Sequence, residues 1–118
     1  MKISLLAAAS IAILASSASF AAQGQAFMAP QKAASVLADG VPWAAATPDG
    51  KTLKFTLKKD GTGSIRGPMP FTLSISWTVM GDQMCITGKM GTKCLRFQAI
   101  PGGLQGWDGD KKDLTFSR

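Results

Sequence analysis

The sequence predicts a mainly β protein: a small antiparallel up-and-down meander or barrel of seven to eight strands, with one short N-terminal helix. From residue 41 onward, apolar side chains recur at every second position, which is typical of strands with one buried face. Short segments rich in Gly, Asp and Pro separate these runs, at residues 48–50, 59–61, 67–68, 81–82, 88–91, 101–103 and 108–110. A sheet with one apolar face must cover it, so we expect a closed barrel, or alternatively an open curved sheet that holds the helix.

The helix is predicted over residues 30–38, before the first strand. The proline at its start suits the first turn of a helix, and Gly40 is placed to end it. Val36 and Leu37 fall on its apolar face. Because a helix of about nine residues is not stable alone, we expect these side chains to pack against an open end of the barrel near Trp43.

Turn chemistry predicts the register of the hairpins. Three-residue loops with Gly50 or Gly61 in the left-handed position, a two-residue turn at residues 81–82 and a four-residue loop at residues 88–91 each align the flanking strands in one way. The expected partners are Trp43 with Phe55, Val41 with Leu57, Phe55 with Ile65, Val79 with Met84, Trp77 with Ile86, and Met84 with Leu95. All of these pairs lie on one face, and a slip of one residue would turn a strand inside out.

The inward positions predict the filling of the barrel. We expect five aromatic residues to fill it, Trp43, Phe55, Phe71, Trp77 and Phe97. After residue 101 two registers remain open: one places Trp107 opposite Phe97, and the other turns Trp107 outward.

A disulfide is predicted between Cys85 and Cys94. The registers place these residues directly opposite each other, on the face away from the core, where bridging is possible. An even pair of cysteines in an exported chain is typical of a structural disulfide.

The first 21 residues have the pattern of a secretory signal peptide. Lys2 precedes an apolar run over residues 3–15, and small residues lead to Ala21. The run is too short to span a bilayer and no second one follows, so we expect an exported product, periplasmic or secreted, that does not span the membrane. Residues 22–29 are predicted to be a flexible lead, and residues 30–118 a single domain that is expected to be monomeric.

Composition argues against an enzyme. The chain has no His and no Glu, and most of its seven Asp residues adjoin Gly in predicted turns, where Asp bonds its own backbone. We therefore expect no catalytic residue and no cofactor. Two metal hypotheses are weaker than their structural alternatives: a calcium loop at Asp108, Asp110 and Asp113, and a copper site at Met80, Met84, Cys85 and Met90. No metal site is predicted.

A basic patch is the main polar feature. The formal net charge is +6, and the registers place Lys54 opposite Arg66, with Lys58 further along the same outward face. Like charges opposed across strands are unfavourable unless an anion lies between them, so these three residues form a possible anion- or partner-binding patch. The alternative is a solvated face that prevents aggregation. A protein or an anionic cell-envelope partner would fit the patch, whereas the absence of interleaved aromatic residues argues against nucleic acid.

The turn and core positions resemble those of a known group. The relevant residues are Gly40, Trp43, Asp60, Gly61, Trp77, Gly81, Asp82 and Cys85. Their spacing resembles small secreted β-barrel proteins of Gram-negative bacteria with a calycin-like or lipocalin-like appearance, distantly including periplasmic inhibitors of metalloproteases. That resemblance implies a barrel and, for the inhibitors, an N-terminal segment that enters the enzyme's cleft.

The function expected from the sequence is a non-catalytic exported binding module. One alternative is an inhibitor of a secreted or host hydrolase, which would use residues 22–29. The other is a carrier of a small apolar ligand, for which the five aromatic residues are expected to leave little room.

Overall fold

The computed structural model describes residues 26–68 and 70–118, so the predicted signal peptide and the first part of the predicted lead lie outside the described residues. The described part forms one helix followed by eight strands that close into an antiparallel barrel. The elements are α1 (Pro30–Leu37), β1 (Trp43–Ala46), β2 (Thr52–Leu57), β3 (Thr62–Arg66), β4 (Thr72–Met80), β5 (Gln83–Gly88), β6 (Gly91–Ile100), β7 (Gly103–Asp108) and β8 (Lys111–Ser117). Each strand pairs with the next, and β8 pairs with β1. The predicted up-and-down barrel is confirmed in its closed form.

The predicted registers are confirmed for five of the six apolar pairs. The confirmed pairs are Trp43 with Phe55, Phe55 with Ile65, Trp77 with Ile86, Val79 with Met84, and Met84 with Leu95. Gly50 and Gly61 both have φ of 91°, as the three-residue loops require. The pairing predicted for Val41 is wrong. Val41 precedes β1 and is 50% exposed, and the N–H of Gly40 instead donates to the carbonyl of Leu57 at 2.9 Å.

An aromatic and aliphatic cluster fills one end of the barrel. The Phe116 ring lies 5.3 Å from that of Phe55 and 5.9 Å from that of Phe97, between ring centroids. Helix α1 packs at this end against β4, β5 and β6, with Leu37 fully buried and Val36 half-buried. The expectation that the helix packs on the barrel is confirmed. We call this the closed end; it carries the turns at residues 58–61, 81–82 and 101–102, and the opposite end is the open end.

Three contacts of Arg118 stabilise the closed end. Its Nη2 atom lies 2.6 Å from Oδ1 of Asp39, in the linker after α1, and 2.8 Å from the carbonyl oxygen of Val41. Its guanidinium also stacks 3.8 Å above the ring centroid of Trp43. The hydrogen bond from Arg118 lowers the pKa of Asp39 to about 2. These contacts hold the linker against the end of β8.

The predicted disulfide joins Cys85 of β5 to Cys94 of β6. The two residues are direct partners across the strands, with Cα atoms 4.0 Å apart. Cys85 alternates with Met84 and Ile86, which belong to the core, so the bridge lies on the outer face as predicted. A disulfide indicates an oxidising, extracytoplasmic environment.

In four strands the inward residue that lies next to an aromatic one on its open-end side is smaller. The pairs, aromatic residue first, are Trp43 and Ala45 in β1, Trp77 and Ile75 in β4, Phe97 and Leu95 in β6, and Phe116 and Leu114 in β8. Phe71, which was expected to help fill the barrel, lies just before β4 and is 53% exposed. The barrel is therefore packed at one end and has space at the other.

Candidate functional site

An apolar cavity of about 360 Å³ occupies the open end of the barrel. Aliphatic side chains from five strands form its walls: Leu53, Ile65, Leu73, Ile75, Ile86 and Leu114. Phe55 lies one inward position closer to the closed end and bounds the cavity there. The volume falls within the range of small-molecule sites, which are concave and mostly apolar.

An ion pair lies at the mouth of this cavity. Nζ of Lys93 is 2.7 Å from Oδ2 of Asp113, and both residues line the opening. Lys93 is the β6 partner of Ile86, so the sheet alternation points it inward. The Asp113 side chain is only 11% exposed. The mouth therefore carries a fixed cation and a fixed anion above an apolar interior.

An irregularity in the sheet places Asp113. Between Gln105 and Trp107 the β7–β8 register shifts, because β8 has one more residue than β7 at this point. The Gln105 amide nitrogen donates to the carbonyl oxygens of Asp113 at 3.2 Å and Leu114 at 3.4 Å, and its Oε1 accepts from Oγ1 of Thr115 at 2.8 Å. Gln105 is buried, so its amide stabilises the bulge that carries the carboxylate.

The expectation that the barrel has little room is wrong at the open end. Of the five aromatic residues that were expected to fill it, Phe71 lies outside, and Phe55 is the one that reaches the cavity wall. The other hydrophobic residues at inward positions there, such as Leu53, Ile65 and Leu73, are aliphatic. These aliphatic positions next to the turns of the open end were the signal in the sequence for this space.

The basic patch is divided by the structure. Lys54 and Arg66 are direct partners across β2 and β3, as predicted, and Ala44 of β1 lies opposite Lys54. Because alanine is small, an open groove of about 560 Å³ forms beside the two cations, extended by Lys51 and Pro68. Among the described residues no carboxylate lies within 4.0 Å of Lys54 or Arg66.

Lys58 does not line this groove. It follows β2 at the closed end, about 13 Å along the strand from Lys54 at the usual rise per residue. Its carbonyl accepts the indole N–H of Trp77 at 2.7 Å. The structure thus brings together two of the three residues of the predicted patch.

The described part of the predicted lead is bonded to the barrel. The N–H of Met28 donates to the carbonyl of Phe97 at 2.8 Å. The centroid of the Phe27 ring lies 6.3 Å from that of the Trp107 ring. The Arg96 guanidinium stacks on the Phe27 ring, 3.9 Å from its centroid. Trp107 is the partner of Arg96 on the outer face, so the outward alternative for this tryptophan is the correct one.

Metal-ligating side chains are dispersed in the described part of the chain, where no group of three or more His, Cys, Asp or Glu could hold a metal ion. Asp113 of the calcium hypothesis pairs with Lys93, and Cys85 of the copper hypothesis is in the disulfide. No helix within the described ranges is long and apolar enough to cross a membrane.

No protein family, curated protein or solved structure matches this chain. The resemblance to calycin-like and lipocalin-like barrels therefore stays a hypothesis. The function has to be argued from the geometry of the barrel itself.

Proposed function

We propose that this protein is a non-catalytic exported binding protein that takes a small apolar molecule with one polar end into the cavity at its open end. The observation that carries this proposal is the 360 Å³ cavity with aliphatic walls and an ion pair at its mouth. The disulfide and the signal-peptide pattern of the first 21 residues support export. The fold supplies the rigid walls, because every strand around the cavity is paired on both sides.

The cavity favours an apolar chain because transfer of each methylene out of water contributes about 0.8 kcal/mol. That free energy corresponds to about a fourfold change in Kd. The packed cluster around Phe116 closes the far end, so the gain per methylene should stop once the cavity is filled. At the mouth, the Lys93 ammonium can donate a hydrogen bond to a polar end group and the Asp113 carboxylate can accept one.

The geometry gives less support to an inhibitor that uses its N-terminal lead. Such an inhibitor needs a free segment, whereas the described residues of the lead, 26–29, are held by Met28 and Phe27 against β6 and β7. The inhibitor function stays a prediction from the sequence.

The proposal is tested by calorimetric titration with n-alkanols of six to twelve carbons. Kd should decrease about fourfold per added methylene and then reach a plateau. Leu73→Trp places an indole in the cavity, so it should weaken binding and shorten the chain length at which Kd reaches its plateau. Thr72→Trp places the same side chain on the exposed outer face of β4 and should bind as the wild type does. Equal binding by the two variants, or no binding by the wild type, would contradict the proposal.

A further inference from the structure

The two ends of the barrel differ in charge. Apart from the Lys93–Asp113 pair, the open end carries six cations, Lys51, Lys54, Arg66, Lys89, Lys111 and Lys112. They are accompanied by three carboxylates, Asp49, Asp108 and Asp110. The closed end is closer to balance, with Lys32, Lys58, Lys59 and Arg118 against Asp39, Asp60 and Asp82. The open end therefore has the larger surplus of positive charge and attracts anions more strongly.

Exposed apolar side chains lie among these cations. Met90 occupies the tip of the turn between β5 and β6 and is 95% exposed, while Phe71 at the start of β4 is 53% exposed. Met90 and Leu73, two residues after Phe71, both line the mouth of the cavity. The rim around the mouth thus combines protruding apolar tips with a surplus of positive charge, which is the composition of surfaces that bind at the membrane interface.

We propose that the open rim docks on the surface of an anionic phospholipid bilayer, with a headgroup phosphate in the groove between Lys54 and Arg66. These two cations are directly opposed and lack a carboxylate partner among the described residues, so a bound phosphate would relieve their repulsion. Arg and Lys side chains both form charge-assisted hydrogen bonds to phosphate. Met90 and Phe71 would enter the layer of headgroups beside it.

This docking is independent of the ligand proposed for the cavity, because the groove lies on the outer face of the barrel. It does have a consequence for that ligand. A protein bound to the bilayer through its rim would hold the mouth of the cavity against the membrane surface. An apolar molecule could then pass from the bilayer into the cavity without crossing water.

Vesicle co-sedimentation of the mature, oxidised protein tests the docking. Vesicles of phosphatidylglycerol and phosphatidylcholine in equal parts should bind the protein at low salt, and pure phosphatidylcholine should bind it much less. One cation near an anionic bilayer corresponds to about a fivefold change in partitioning, so Lys54→Gln with Arg66→Gln should weaken binding by at least about twentyfold. The matched control, Lys58→Gln with Lys59→Gln, removes the same charge from the closed end and should change binding by less than about twofold.

A second pair of variants tests the apolar tips and is matched in the same way. Met90→Ser should weaken vesicle binding several-fold, whereas Met80→Ser at the closed end, where the methionine is 60% exposed, should not. Equal effects of the two lysine-containing pairs, or of the two methionine variants, would overturn the proposal. So would binding of inorganic phosphate by the groove without binding of anionic vesicles, or capture of an acidic protein instead. The alkanol titration would be unaffected by either result, so the two proposals fail separately.

Discussion

The closed and open ends of this barrel are built from the same eight strands but differ in packing. At the closed end, three phenylalanine rings pack together with helix α1, and the Arg118 contacts hold the linker after α1. At the open end, shorter aliphatic side chains leave a cavity, and Met90 and Phe71 are exposed on the rim. We infer that the closed end supplies most of the packing that stabilises the barrel, which allows the open end to stay unfilled for the ligand that we propose.

The largest effect is the expected difference in stability between two Leu→Ala substitutions, one at each end of the barrel. Leu37→Ala removes a fully buried side chain from the closed end and should lower the free energy of unfolding by about 2–5 kcal/mol. Leu73 is half-buried and already borders the cavity, so Leu73→Ala only enlarges an existing space. It should lower the free energy of unfolding by less than about 1.5 kcal/mol. Urea denaturation of both variants measures the difference. Similar losses at the two ends would contradict the division of roles.

The disulfide should have an intermediate effect, because it links only the two strands of the hairpin that carries Met90. Replacement of Cys85 and Cys94 by Ser opens a closed loop of about ten residues and should cost about 2–3 kcal/mol, while the barrel still forms. The control is Thr87→Ser with Thr92→Ser, a hydrogen-bonded pair two positions along the same hairpin. Its stability should change by less than about 0.5 kcal/mol. A disulfide-free variant as stable as the wild type would show that packing alone holds the hairpin.

Most of the fold could be predicted from the sequence, because turn residues and alternating apolar positions both define register. Gly50 and Gly61 required left-handed turns, and the strands they join paired as those turns dictate. The cavity does not follow from the number of aromatic residues, because that number does not give the volume they fill inside the barrel. Phe71 alternates correctly but lies beyond the last paired residue of its strand, and alternation alone does not show where pairing begins.

The site at the mouth could not be predicted for a different reason. Asp113 reaches Lys93 through the irregularity between β7 and β8, which the buried amide of Gln105 stabilises. The sequence after residue 101 left two registers open, so neither the bulge nor the ion pair followed from it.

The smallest effect should come from the ion pair at the closed end and should depend on pH. Arg118 lowers the pKa of Asp39 to about 2 from its ordinary value of 3.8, so the pair stabilises the fold above pH 4 and this contribution is lost as the pH falls through about 2. Asp39→Asn and Arg118→Gln should each lower the urea midpoint at pH 7, and the double variant should show coupling between them. At pH 2 the coupling should be largely lost. Coupling that is equal at the two pH values would show that the two residues interact only through packing.

The central claim is that the open end binds and the closed end does not, and methyl NMR during a titration with decanol tests it most directly. The methyl resonances of Ile75, Ile86, Leu114 and Met90, which line the cavity, should shift together along one saturating curve. Those of Leu37 and Leu57, buried at the closed end, should stay in place. Shifts that begin at Leu37 and Leu57, or no saturable shift at the four cavity residues, would contradict the claim.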